Sequence, residues 1–131
     1  MADIDPSAVI GNNVKMQEST VIEGDAHIGD NCDLDNRVVI EKHATIGTGV
    51  KMGVHCVVER HVNVGNDCVF GKENVIERNA TIGNGVKMGD DCVLEKETKV
   101  PDGSDIPTGT VLSAGRTYPD GTTLKAKYFK K

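Results

Sequence analysis

An apolar residue occupies every sixth position of this chain from Ile10 to Leu112, as in the run Ile28, Leu34, Ile40, Ile46, Met52, Val58, Val64 and Phe70. Two residues before each of them stands a small or β-branched residue, for example Cys32, Val38, Ala44 and Val50, and Asn74 is the one departure. A helix would show a beat of 3.6 and an amphipathic strand a beat of two. A sustained beat of six predicts a short strand, a turn and another short strand, repeated as a solenoid. Three hexads close one triangular coil, and the polar residues support that grouping. Glu follows the apolar position at 23, 41, 59, 77 and 95, and Gly follows it at 11, 29, 47, 65 and 83. Each series repeats every eighteen residues. After the glycines come pairs such as Asp30-Asn31 and Asn66-Asp67, residues that tolerate positive φ in a tight corner. The predicted fold is all-β, a single-stranded parallel β-helix of about six coils stacked at strand spacing, roughly 29 Å long. The repeat begins near Ser7, the β-helix covers 1–114, and a C-terminal tail covers 115–131.

Alternation across each short strand points the residue before the apolar position outward. One outward column reads Val9, His27, Thr45, Asn63, Thr81, Lys99, and a second reads Lys15, Asp33, Lys51, Val69, Lys87, Asp105. The third is Val21, Val39, Val57, Val75, Val93 and Val111 without exception. Strand propensity explains valine in any strand, but not its restriction to one face of three. Contiguous exposed apolar surface marks interfaces, so this column is the candidate partner surface. Partners are expected to be proteins, either identical copies around a three-fold axis or different subunits. The tail is a further candidate for covering the stripe. Beside it runs a charged ridge, Glu41-Lys42, Glu59-Arg60, Glu77-Arg78 and Glu95-Lys96. Stacked like charges repel, and the basic residues offset this. A solvated ridge is the plain reading.

Composition narrows the classes. Aromatics make up 3% of the residues and Trp is absent, which suits a solenoid better than a globule with a bulky core. The net charge of −5 divides into +4 in the tail from Gly115 and −9 in the rest. An acidic body argues against nucleic acid as the partner. No apolar run has membrane-spanning length and the start MADIDPSAV lacks a signal peptide, so a cytoplasmic protein is expected. In the tail, Leu124, Ala126 and Tyr128 alternate with Lys125 and Lys127, which reads as a short amphipathic strand packing back on the body.

Cys32, Cys56, Cys68 and Cys92 all occupy inward small-residue positions. Those sharing a face are two coils apart, roughly 9.6 Å, beyond disulfide reach. They are expected to be buried thiols in a reducing compartment. His43 and His61 are eighteen apart and should stack on adjacent coils, in a column with Asp25, Asn79 and Glu97. They are the metal-ligand candidates, against the plainer reading of an exposed polar ladder. No phosphate-binding loop, nucleophile elbow or zinc-helix motif is present, and no cofactor is expected.

The six-residue beat, with the opening PSAVIGNNVKM and the closing IPTGTVLSAG, resembles the hexapeptide-repeat superfamily, which implies a left-handed coil. Within it, Val86–Val100, VKMGDDCVLEKETKV, and Lys51–Val64 resemble the small pointed-end subunits of dynactin. That resemblance implies a non-catalytic scaffold or adaptor. Two enzyme readings stand beside it. Acyltransferases of the superfamily carry a catalytic His and repeat-breaking loops, and this chain has no such loop; His27, His43, His55 and His61 would be its candidates. γ-Carbonic anhydrases hold zinc with a His pair five apart, whereas His55 and His61 are six apart. A regular or engineered solenoid without activity is the remaining alternative. The expectation is therefore an adaptor rather than an enzyme.

Overall fold

The computed structural model describes residues 2–119 and 124–125. Short strands recur every six positions from Asp3–Ile4 onward, and among the described residues no helix interrupts them. They stack in register into three parallel sheets, one per face of a triangular prism. Val57 pairs with Val39 and Val75, Asn63 with Thr45 and Thr81, and Val69 with Lys51 and Lys87. Each of these steps is eighteen residues. The backbone closes the stack, as where Val57 N donates to Asn74 O and Glu59 N to Ile76 O, both at 2.9 Å. This is the parallel β-helix of about six coils that the period predicts, with the left hand that the resemblance implies.

The structure extends the repeat one hexad upstream of Ser7. Asp3–Ile4 pairs with Val21–Ile22, because Ile4 lies six residues before Ile10 and so holds the beat. The start was readable, but a lone apolar residue ahead of Pro6 carries little weight.

The core is the column of sixth residues, with Leu34, Ile40, Val58 and Leu94 fully buried, and the small residues Ala44, Val50, Val62 and Cys68 between them. Burying each large side chain contributes on the order of 2 kcal/mol. All four cysteines are free and buried. Their thiols donate to carbonyls of the next coil, Cys56 Sγ to Gly71 O at 2.9 Å and Cys68 Sγ to Gly83 O at 3.1 Å. Desolvation pushes all four thiols up. Asn74, the one irregular inward residue, is fully satisfied. Its Nδ2 donates to Gly71 O and Gly89 O, and its Oδ1 accepts from Cys92 N.

The two ends differ. At the C-terminal end Thr117 bridges to Lys99, Tyr118 packs on the core, and its hydroxyl donates to Asp105 O at 3.0 Å. Leu124–Lys125 runs antiparallel to Thr110–Val111. The remainder of the tail, including Ala126, Lys127 and Tyr128, lies outside the described residues. At the N-terminal end Ile4 is 38% exposed and Val9 53%, and Ile10, Val14 and Met16 are only partly buried.

Candidate functional site at the glutamate corner

Two of the three corners give the amide of their second residue an acceptor in opposite directions. After the Val9 face the corner begins with Gly, and an oxygen from the next coil reaches back over it. Thr48 N donates to Asn66 Oδ1 at 2.9 Å, Asn66 N to Asn84 Oδ1 at 2.8 Å, and Asn84 N to Asp102 Oδ1 at 2.7 Å. After the valine face the corner begins with Glu, whose own carboxylate reaches forward. Arg78 N donates to Glu59 Oε1 at 3.1 Å, Lys96 N to Glu77 Oε1 at 3.2 Å, and Ala114 N to Glu95 Oε1 at 3.0 Å. The glutamates of the expected solvated ridge are thus half-buried backbone caps. Burial, with Glu59 and Glu23 stacked on either side, raises the Glu41 carboxyl above its ordinary value.

This division releases the second and third positions of the glutamate corner from capping. They hold Lys42-His43 and Arg60-His61 in successive coils. His43, His61 and also His55 occupy the third corner position, with φ of 62°, 60° and 65°. Left-handed backbone is uncommon for a non-glycine residue, with Asn, Asp and His enriched there, which is one physical reason for imidazoles at these points. The rings of His43 and His61 stack at 5.0 Å with an interplanar angle of 6°. In-plane lone pairs of parallel stacked rings do not converge on one ion. Among the described residues no group of three or more His, Cys, Asp or Glu could hold a metal.

His43 Nδ1 faces Asp25 Oδ2 at 3.9 Å, one coil toward the N-terminus. Both side chains are exposed, at 46% and 62%. They stand in a cleft of about 540 Å³ whose walls include Asp3, Asp5, Glu23 and Lys42. His55 sits at a different corner, in a shallower hollow of about 360 Å³ with Ser19 and Arg37. There Arg37 Nη1 lies 3.0 Å from His55 Nε2. His27 lies on an exposed strand between Val9 and Thr45. The corner geometry therefore brings His43, His61, Asp25 and Lys42 together and leaves His27 and His55 apart. Asp25 carries a sequence signal, its place in the His43 column, but nothing in the spacing singled it out as a partner.

The valines at 21, 39, 57, 75, 93 and 111 are half-buried, while the outward columns of the other two faces are mostly exposed. In-register neighbours account for part of that cover, since each valine stacks on the next along the ladder.

Fold and site define a hexapeptide-repeat β-helix. Residues 1–113 match the family model of the GMPPB C-terminal domain, and the chain belongs to that family. Among solved structures, a provisionally assigned acetyltransferase from Desulfovibrio desulfuricans G20 superposes on the whole chain with a TM-score of 0.85 and 17% identity. The chain spans 30% of that protein's length. AntD, an N-acyltransferase from Bacillus cereus in complex with dTDP and coenzyme A, matches 95% of the chain over 80% of its own, with a TM-score of 0.65 and 14% identity. The acetyltransferase domain of PglB from Neisseria gonorrhoeae matches 95% over 57%, with a TM-score of 0.53 and 16% identity. No curated protein matches the chain. These findings go against the expectation of a non-catalytic, dynactin-like adaptor: the matching family is that of the GMPPB C-terminal domain, and the superposable structures named above are acyltransferases. Short hexads recur throughout the superfamily, so two similar coils did not discriminate between its branches. Among the described residues no helix is long and apolar enough to cross a membrane.

Proposed function

We propose that this chain is the β-helical body of a hexapeptide-repeat transferase that moves an acyl group from a thioester to an amine or hydroxyl. The observation that carries the reading is the His43–Asp25 pair at the mouth of the 540 Å³ cleft. The superposable acyltransferase structures support it. His43 Nε2 takes the proton of the acceptor as that atom attacks the thioester carbonyl. The tetrahedral intermediate collapses, the C–S bond breaks and the thiolate leaves. Asp25, on the Nδ1 side, fixes the ring and stabilises the imidazolium. The pair must close by about 1 Å to form a hydrogen bond, as happens when such sites bind substrate. Lys42 on the same wall offers a cation to an anionic group of donor or acceptor.

No repeat-breaking loop walls the cleft on this chain, so a second copy completes it. The valine face is the surface for that self-association.

The test is thiol release from acetyl-coenzyme A in the presence of amino-sugar and amino-sugar-nucleotide acceptors. Turnover is expected to fall by about 100-fold or more in His43→Asn. Asp25→Asn should lose less, and His27→Asn should be unaffected. Thiol release no faster than the uncatalysed rate with every acceptor would sink the reading.

A further inference from the structure

We propose that His61 is a positioning residue for His43: its ring, stacked on the neighbouring imidazole, holds His43 in the orientation that turns Nδ1 to Asp25 and leaves Nε2 for the acceptor. The inference rests on the reading of His43 as the base, and it names a residue that this reading does not use.

Asp25 alone does not fix the His43 ring. The 3.9 Å from Asp25 Oδ2 to Nδ1 is longer than a hydrogen bond, and the imidazole side chain is 46% exposed. An exposed side chain hops between rotamers unless something packs against it. The coil on the other side makes that contact. His61 follows His43 by eighteen residues, and the two backbones share one conformation, with φ of 60° and 62°. Equal backbone conformations in successive coils launch the two side chains in parallel. The ring centroids lie 5.0 Å apart at an interplanar angle of 6°. That separation is close to the inter-strand spacing of about 4.8 Å, so the stack forms at the pitch of the coil itself. A flat ring lying on a flat ring opposes rotation about the Cβ–Cγ bond. This is the motion that would swing Nδ1 away from Asp25. Carboxylate, base and brace thus stand in three successive coils.

His61 acts from outside the cleft. Lys42 and His43 wall the cleft, and Arg60 and His61 do not. The influence of His61 therefore passes through His43. His55, which occupies the third position of another corner, makes the contrast. It lies beside Arg37, and the equivalent point of the following coil holds Glu73, so no ring backs it. Among the described residues His43 and His61 are the one stacked pair of rings.

Steady-state kinetics and proton nuclear magnetic resonance on the full chain test the proposal. His61→Asn removes the ring and suits the left-handed backbone, since Asn79 holds the same column one coil on at φ 63°. His61→Phe keeps a flat ring and removes both nitrogens. With acetyl-coenzyme A and the acceptor that supports turnover, kcat of His61→Asn should fall about 10-fold with each KM unchanged, the mark of a misplaced base. His61→Phe should recover kcat to within about 3-fold of the wild type. The second readout needs no turnover. The carbon-bound ring protons of His43 lie in the ring current of His61, so they should move downfield in His61→Asn and stay upfield in His61→Phe. A wild-type kcat in His61→Asn would overturn the proposal. So would a His61→Phe as slow as His61→Asn, which would assign the effect to a nitrogen, or His43 protons that do not move in His61→Asn. Should the Phe variant not fold, as circular dichroism would reveal, the kinetics and shifts of His61→Asn decide. A wild type inert toward every acceptor strikes the reading of the base itself, and the ring protons then decide whether His61 orients His43.

Discussion

The glycine corner and the glutamate corner solve one problem in opposite directions. Both must give a turn amide an acceptor. At the glycine corner the later coil reaches back, Asn66 Oδ1 to Thr48 N, and its oxygen lies where a Cβ on Gly47 would stand. The second position is therefore committed to an oxygen-bearing side chain and the first to glycine. At the glutamate corner the earlier coil reaches forward, Glu59 Oε1 to Arg78 N. The second and third positions are then free, and that is where Lys42, His43, Arg60 and His61 stand. A repeat that is uniform in its core can thus carry chemistry on one corner, because the capping duty there belongs to a different residue.

The largest expected effect comes from forcing a side chain into the wrong corner. A Cβ on Gly47 would meet Gly65 O at 2.6 Å, backbone that has nowhere to go. Gly47→Val should cost about 3 kcal/mol or more, read as a fall in the denaturant midpoint. Glu59→Val, at the corner that already holds a side chain, should cost about 1 kcal/mol, the loss of one cap. Equal losses at the two sites would erase the distinction. Asn74 links coils in a third manner, from inside. Asn74→Ala strips Cys92 N and Gly89 O of their buried partner and should cost about 2–3 kcal/mol.

A smaller effect concerns the third corner position. His61 sits at φ 60°, so His61→Gly relieves the left-handed backbone while loosening the unfolded chain. The net change should lie within about 1 kcal/mol of zero, far from the loss at Gly47. The smallest effect is electrostatic. Burial, then Glu59 and Glu23, raise the Glu41 carboxyl above its ordinary value of 4.5. Its ionisation therefore opposes folding. The stability it contributes is fully present below the unfolded value and is lost as pH rises through the folded one. Glu41→Gln should raise the melting temperature slightly at pH 7, with the difference vanishing as pH falls to 4.5. An advantage that persists below that pH would mean the ladder's repulsion is not its source.

The core and its coil assignment were legible because the period is unbroken. Eighteen successive apolar positions leave no other register, and Asn74 stood out as the one departure among the small inward residues. The corner chemistry was only half legible. Glu followed by Lys or Arg, and Gly followed by Asn or Asp, were visible as columns. The direction in which each oxygen reaches depends on side-chain placement between coils, which a one-dimensional period does not carry. The same limit hid the pairing of His43 with Asp25, since stacked columns order residues along the axis but do not aim them. Branch within the superfamily was misread for a related reason: the hexad is dictated by the coil, so its likeness to another hexad reports the coil and not the activity.

The most direct measurement is a nuclear magnetic resonance titration of the intact protein with acetyl-coenzyme A. The account predicts saturable shifts concentrated on Asp25, Lys42, His43 and His61, with the Arg37–His55 hollow and the glycine corners unmoved. Shifts centred on Arg37 and His55, or no saturable shifts at all, would contradict it.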